Sequence, residues 1–173
     1  PSEPYSLRTT DRLTGDWRGT RTQLEEKGIE VSLSLTTIFQ QNVHGGVRTR
    51  NAHQVSGSYD LELTFDLETL GGVPGGTLYI YGQGSWGDGV SEYVGDLFGV
   101  NGDAGGDRAI DVLECWYEQS FLSGKLRIQA GKINLTNEFL TNAYANDETA
   151  QFLNYALVVP PQAPIPGDAF GPN

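Results

Sequence analysis

The sequence has a single cysteine, Cys115, and no methionine. One cysteine cannot form a disulfide within the chain, so cysteine content says little about the compartment. Because methionine is missing, Pro1 is not a translation start, and we expect a processed or trimmed chain from which a signal peptide could have been removed. No apolar run approaches the roughly 18–20 residues that a membrane-spanning helix needs. A membrane crossing by this chain would therefore use strands.

Basic residues are also scarce. The chain has 11 Lys and Arg against 22 Asp and Glu, which gives a formal charge of −11. Nucleic acid is excluded as a partner, because phosphate binding needs a basic patch. The simplest interpretation of the acidity is that it solvates loops.

No catalytic arrangement of residues is found. His44 and His53 lie in one predicted loop, without the spacing of a helical metal pair and far from a nucleophile elbow. Glu114 and Glu118 would lie about 13 Å apart on a strand. The carboxylates of a glycosidase lie roughly 5–9.5 Å apart. We therefore predict no enzyme, no metal site and no cofactor.

What the chain does have is glycine, with 23 residues, and aromatic side chains, at 10%. Near the N-terminus, Asp11–Gly28 reads as a short helix over Trp17–Lys27, with Asp16 as N-cap and Gly28 just past the end. From Ile29 the apolar pattern switches to a period of two, which predicts strands with one apolar and one polar face. Five such segments follow, at about 29–36, 59–68, 77–85, 111–119 and 125–131.

The connections between these segments alternate between long and short. Long loops are predicted at about 42–56 and 86–109, and short links at 69–76 and 120–124. This is the pattern of an antiparallel outer-membrane barrel, which has short periplasmic turns and long outer loops. Five strands cannot close a barrel, and an open edge in hydrocarbon leaves backbone groups unsatisfied. We therefore expect further C-terminal chain. A soluble β-sandwich is the alternative fold.

Several segments resemble the carbohydrate-selective porins of the OprB family. The opening LTGDWRGTRTQLEEKG at 13–28 is similar to the start of those proteins, although Arg18 replaces their usual Gly and Cys115 is also a departure. Further similar segments follow in the same order: DLETLGGVPGG at 66–76, YVGDLFGV at 93–100, LECWYEQSFLSGKLRIQAGK at 113–132, NEFLTNAYA at 137–145 and FLN at 152–154.

The resemblance implies an all-β fold, an antiparallel transmembrane barrel of about sixteen strands in the bacterial outer membrane. This chain would supply its first five strands or so. Residues 1–28 would be a periplasmic lead-in and short helix, and residues 29–173 the first part of the barrel with long extracellular loops. The implied function is passive diffusion of small sugars. The implied partners are outer-membrane lipid, small sugars and the remaining barrel chain, with a homotrimer expected only by analogy with large porins.

Strand parity selects the residues that would line the lumen. If Leu113, Cys115 and Tyr117 face lipid, the alternating side chains face inward, and we predict seven sugar-contact candidates: Arg127, Glu114, Trp116, Glu118, Gln129, Asp60 and Glu62. Sugars need hydrogen-bonding groups and an aromatic face, which Trp116 near Arg127 would supply. The alternatives are that Glu114, Glu118 and Arg127 only brace the wall, and that Trp116 is a packing or girdle residue.

Other aromatic and acidic residues receive simpler interpretations. Tyr79, Tyr81, Trp86 and Tyr93 are expected at the membrane interface rather than against a sugar. Four aspartates in the second long loop invite a calcium interpretation, but their spacing fits turn formers better: Asp88, Asp96, Asp103 and Asp107. We predict that the strandless segment 144–166 folds into the lumen and narrows it.

Two functions compete with the sugar porin. One is a soluble carbohydrate-binding β-sandwich module, which would not depend on detergent. The other is a structural outer-membrane protein within a larger assembly.

Overall fold

The five predicted strands form one antiparallel sheet in the order in which they occur along the chain. The computed structural model describes residues 12–135, 144–145, 147 and 149–158. Within these, the strands are β1 Ile29–Gln41, β2 His53–Asp66, β3 Gly76–Trp86, β4 Arg108–Phe121 and β5 Leu126–Lys132. The predicted number and order of strands are confirmed.

Strands β1 and β2 extend further toward the long loop between them than the predicted segments 29–36 and 59–68 do. The pairing continues from Ile29 with Phe65 as far as Gln41 with His53. The stretch around Ser56, Gly57 and Ser58 has no apolar alternation, so its own sequence does not signal a strand. Backbone hydrogen bonds to the neighbouring strand hold it extended instead.

The predicted N-terminal helix is shorter than expected. A 3₁₀ turn spans Trp17–Gly19 and α1 spans Thr20–Glu26. Arg18 has φ 61°, in the left-handed region that favours glycine, which is a physical reason for the glycine of similar sequences at this position. Asp16 does not cap the 3₁₀ turn, but its carboxylate accepts hydrogen bonds from the Thr22 amide and hydroxyl in the first turn of α1.

The long and short connections alternate as predicted. The two long loops are 42–52 and 87–107, the latter with the short helix α3 at Ser91–Val94. One short link contains a helix that was not predicted, α2 at Leu67–Gly71, whose N-cap Asp66 accepts from the amides of Glu68 and Thr69. The other is the tight turn 122–125 between β4 and β5. A further helical turn, α4, spans Tyr155–Val158.

Register places polar and apolar residues on opposite faces of the sheet. On one face, called here the apolar face, Val31 pairs with Leu63, which pairs with Ile80, which pairs with Cys115. On the other, the polar face, the corresponding row runs through Ser32, Glu62, Tyr81 and Glu114. The register between β3 and β4 shifts between Tyr81 and Gly82, where Leu113 has no register partner on β3. Glu114 stays on the polar face.

The buried apolar core of the described residues lies between the two long loops and not on the sheet. Ala52 of the first loop packs with Val90 and Tyr93 of the second, with Val94 and Val100 at the margin. Meanwhile apolar side chains on the sheet stay exposed, among them Leu35 at 71% and Ile128 at 53%. Among the described residues, the apolar face of the sheet is therefore uncovered.

Candidate functional site

The polar face of the sheet places carboxylates beside hydroxyl and amide donors from the neighbouring strand. Asp60 on β2 accepts hydrogen bonds from Tyr81 Oη and Gln83 Nε2 on β3, each at 2.8 Å, and from Ser34 Oγ on β1 at 3.1 Å. Glu62 accepts from Tyr79 Oη at 3.0 Å. Donors from β1 and β3 thus stabilise the carboxylates of β2. The basic residues Lys125 and Arg127 lie at or beside β5, three strands away from these carboxylates.

Trp116 lies on this face, on β4. Its register partner on β3 is Tyr79, and the two rings are stacked with centroids 4.9 Å apart and planes at 29°. The Trp116 Nε1–H donates to Glu114 Oε2 at 3.1 Å. Glu114 is buried and also accepts from the Asn134 amide at 3.4 Å. Trp116 is therefore part of the polar face, and its interpretation as a girdle residue is wrong.

A second carboxylate on β4 bonds to β5. Glu118 accepts from Gln129 Nε2 at 2.9 Å and lies 3.5 Å from Arg127 Nη1. The Arg127 side chain is 58% exposed and that of Glu118 only 16%. Because the Arg127 end of this ion pair is exposed and lies 3.5 Å from the carboxylate, the pair contributes at most about 1 kcal/mol, and its chief effect is to orient the groups.

The structure brings the seven predicted residues onto one face in three groups. Asp60 and Glu62 bond to β3, whereas Glu118, Gln129 and Arg127 bond to one another, and Glu114 bonds to Trp116. One expected neighbour is wrong: the register partner of Trp116 on β5 is Gly131, and Arg127 lies opposite Ser120. Arg127 therefore belongs to the Glu118 group.

Two residues of this face were missed by the sequence reasoning. Tyr79 and Tyr81 were assigned to the membrane interface, but their hydroxyls donate to Glu62 and Asp60. The prediction was wrong because Leu78, Tyr79, Ile80 and Tyr81 are all apolar or aromatic, so the face of β3 cannot be recognised from its own residues. Polar and apolar residues alternate strongly in β2, and the register between β2 and β3 then shows which face each β3 side chain occupies. Tyr93 was likewise misassigned, since it is buried in the loop core.

The loop 87–107 folds over the polar face at the long-loop end of the sheet. Three polar-face residues of β2 and β3 bond to it. Gln54 Nε2 donates to Tyr93 Oη at 2.9 Å, Ser56 Oγ accepts from Asn101 Nδ2 at 3.1 Å, and Ser85 Oγ donates to the Gly106 carbonyl at 2.8 Å. Ser56 is 1% exposed and Asn101 6%. The loop thus covers one end of the face that holds the candidate residues.

The described part of the segment 144–166 lies against this loop. The Gly102 amide donates to the Leu153 carbonyl at 2.7 Å, and the Tyr155 amide donates to Gly99 at 3.2 Å. Residues 149–151 and 153 also line a shallow space beside β1 residues 36–38. Asp147 begins this stretch, and the hydrogen bond from the Thr149 hydroxyl lowers the pKa of its carboxyl. Residues 146, 148 and 159–166 lie outside the described residues.

Asp96 and Asp107, two of the aspartates in the second long loop, accept hydrogen bonds from nearby groups. Asp107 accepts from the Gly87 amide at 2.9 Å and closes the base of the loop, and Asp96 accepts from Ser91 Oγ at 3.3 Å. Among residues 12–135 and the described part of 144–158, no three acidic, histidine or cysteine side chains lie close enough together to hold a metal ion.

Asn42 joins the two long loops. Its buried Nδ2 lies within hydrogen-bond distance of three carbonyls, those of Gly45, Arg48 and Tyr93. We expect Asn42→Ala to lower the local stability of the 42–52 loop by about 2 kcal/mol, because buried carbonyls lose their donor. Trypsin cleavage at exposed Arg50 in the folded full-length protein measures the change. Thr49→Ala, exposed in the same loop, is the control, and equal cleavage of the two variants would contradict the prediction.

A protein-family model and a curated relative match this chain. The model of the family described as carbohydrate-selective porin, OprB family, matches residues 50–172. The protein named "Putative porin QuiX" from Acinetobacter baylyi is 24% identical over 151 residues, which cover 84% of this chain and 33% of that protein. No described helix is long and apolar enough to cross a membrane.

A solved structure shares the fold. The high-pH structure of Pseudomonas putida OprB superposes with a TM-score of 0.75 at 24% identity, over 87% of this chain and 36% of that one. This similarity shows the fold of the sheet. The chain spans about a third of the length of each of these two relatives.

Proposed function

This chain belongs to the carbohydrate-selective porin, OprB family, and on that premise we propose that it forms the first part of an outer-membrane β-barrel through which small sugars diffuse passively. The protein acts as a channel and not as an enzyme. The family membership favours this function over the soluble sugar-binding sandwich. The uncovered apolar face of the sheet also opposes a soluble module, because monomeric soluble proteins rarely leave a contiguous apolar surface uncovered.

The observation that carries the proposal is the separation of the two faces. The apolar face leaves Leu33, Leu35 and Ile128 more than half exposed. On the opposite face, four carboxylates each accept a hydrogen bond from a neighbouring side chain: Asp60, Glu62, Glu114 and Glu118. A sheet of this kind suits lipid on one side and water on the other. The polar face is then the lumen wall, and the protein resides in the bacterial outer membrane.

The seven candidate residues would act as the wall against which a sugar moves. Carboxylates accept hydrogen bonds from sugar hydroxyls, and Gln129 and Arg127 donate them. The carboxylates among these residues already accept hydrogen bonds from neighbouring side chains. A passing sugar therefore replaces one hydrogen-bond partner by another and does not meet an unpaired charge. Such exchange allows passage without tight binding, which a diffusion channel requires.

Strands β1 and β5 form the two edges of the described sheet. An edge in hydrocarbon would cost several kcal/mol for each unsatisfied backbone group. We therefore propose that further barrel strands pair with β1 and β5, that residues 29–173 form the first part of the barrel, and that residues 12–28 lie at its periplasmic mouth. A trimer remains an analogy with large porins.

Osmotic swelling of liposomes containing the purified full-length protein tests this function. We expect liposomes to swell in isosmotic glucose, and to swell far less in an oligosaccharide too large for the pore. Liposomes with heat-denatured protein are the control. A folded, membrane-inserted protein that passes no small solute would contradict the channel and favour the structural role in a larger assembly.

A further inference from the structure

Arg21 of α1 is a buried cation that has no ion pair with any described carboxylate. Only 8% of this residue is exposed. Two carboxylates of the same N-terminal segment are bonded elsewhere, because Glu25 pairs with Arg12 at 2.8 Å and Asp16 accepts from Thr22. Burial of a charge is costly unless an opposite charge and hydrogen bonds compensate for the lost water. The described residues alone therefore leave the Arg21 charge without compensation.

The contacts of the guanidinium fix its position but use few of its donors. Nη1 donates to the Val31 carbonyl at 3.3 Å and Nη2 to Thr14 Oγ1 at 3.5 Å, and the group lies over the Trp17 ring, 4.3 Å from its centroid. An arginine side chain has five N–H donors. The others, including the buried Nε, have no acceptor among the described residues. The group is held in place and is still able to bind an acceptor.

The Val31 carbonyl points toward the open edge of the sheet. Along an antiparallel strand, backbone groups of successive residues point alternately toward the partner strand and away from it. The Asp66 amide donates to the Gly28 carbonyl at 2.7 Å, so Gly28 points toward β2 and Val31, three residues later, points away from β2. Strand β1 has no neighbour on that side in the described sheet. The Arg21 guanidinium therefore lies at the edge where a further barrel strand would pair with β1.

We propose that Arg21 is a clasp that binds a carboxylate of the closing strand, which is the strand of the full-length barrel that pairs with β1. The inference rests on the proposed barrel and adds a residue that holds its seam together. Because Arg21 already occupies the Val31 carbonyl, the hydrogen-bond ladder between β1 and the closing strand ends at this position. The clasp then ties α1 to the end of that ladder.

A carboxylate is the partner that the chemistry of Arg21 favours. The planar guanidinium can donate two parallel N–H bonds to the two oxygens of one carboxylate, and the negative charge compensates the buried positive one. Stacking on Trp17 holds the plane of the group before the partner arrives. This chain spans about a third of the length of its two relatives, so a full-length protein of their size has ample further chain to supply the closing strand.

The first test is urea titration of the full-length protein in detergent. Arg21→Met should raise the equilibrium constant of unfolding by roughly a hundredfold, because it leaves a buried carboxylate without its cation. Arg21→Lys keeps the charge without the planar fork, so its effect should be intermediate, and it supplies the result if the methionine variant does not fold. Arg18→Met is the matched control, since Arg18 is exposed in the same segment and its replacement should change the constant by less than about threefold.

The second test separates a clasp from a merely structural contact with Val31 and Trp17. Each Asp and Glu of the closing strand is changed to Asn or Gln, once in the wild type and once together with Arg21→Met. At the partner position, the amide should destabilise the wild type strongly and the Arg21→Met protein little, a coupling of roughly tenfold or more in the unfolding constant. Contacts with Val31 and Trp17 alone would give no coupling at any position.

The outcomes distinguish the clasp from the channel. Arg21→Met that is as stable as Arg18→Met overturns the clasp, and so does a full set of amide variants without coupling. If such a protein still passes glucose in the swelling assay, the channel stands without the clasp. Coupling in a folded protein that passes no small solute supports the clasp and contradicts the channel. A full-length protein in which no strand pairs with β1 overturns both proposals.

Discussion

Gly57→Ala is expected to lower the free energy of unfolding of the full-length barrel by about 3 kcal/mol. A Cβ at Gly57 would overlap the Thr36 carbonyl oxygen on β1 and the indole of Trp86 on β3. The carbonyl belongs to the backbone ladder of β1 and β2, so it cannot move without breaking strand pairing. The Trp86 ring is itself stacked on Tyr59, with centroids 6.4 Å apart, which limits its escape.

Urea titration of the detergent-folded protein, followed by tryptophan fluorescence, measures this change. Gly71→Ala is the matched control, because a Cβ there meets nothing within 4 Å. The control should differ from the wild type by well under 1 kcal/mol. A Gly57→Ala midpoint equal to that of the control would show that β1 and β3 do not approach Gly57 as closely as described.

Replacing residues 89–105 by a short Gly-Ser link is expected to raise single-channel conductance several-fold and to admit oligosaccharides that the wild type excludes. The loop 87–107 bonds to Gln54, Ser56 and Ser85 on the polar face, so its removal uncovers the long-loop end of the wall. The ends of the deletion lie close together, since the Gly87 amide donates to Asp107 at 2.9 Å. A short link can therefore close the gap.

Planar-bilayer recording of the full-length protein measures the conductance. Leu97→Ser is the control, because this side chain of the same loop is 91% exposed and its change should leave conductance unaltered. The deletion also removes Val90 and Tyr93 from the loop core, so heat-modified migration in SDS gels must show that the barrel still folds. Unchanged conductance and exclusion in a folded deletion variant would mean that this loop does not narrow the lumen.

Local patterns were sufficient to predict the strands, their order and most of their faces. Side chains of a strand alternate with a period of two whatever the partner strand, so Leu61, Leu63 and Phe65 against Asp60 and Glu62 already define two faces. The end of a helix is also determined by local residues. Gly28 lies just past the end of α1 and has φ 84°, because a residue at that position commonly takes the left-handed conformation, which glycine adopts easily. The alternation of long and short connections followed from the spacing of the strands alone.

The contacts within the candidate site depended on register, which no single strand encodes. Arg127 could have neighboured Trp116 or Glu118, and only the pairing of β4 with β5 decided for Glu118 and placed Gly131 beside the indole. The face of Tyr79 was ambiguous in its own strand and was decided by Glu62 and Trp116 on the two neighbouring strands.

The sequence by itself determined that this protein is a chain of five amphipathic strands with long loops at one end, because propensity and side-chain period act within a few residues. Tertiary structure alone decided that the loop 87–107 turns over the polar face and meets Ala52 and Ser56, residues more than thirty positions earlier in the chain. That placement arises from burial of Val90 and Tyr93 and from hydrogen bonds between distant segments. Such contacts depend on which strands pair and in which register, so they exist only once the sheet has formed.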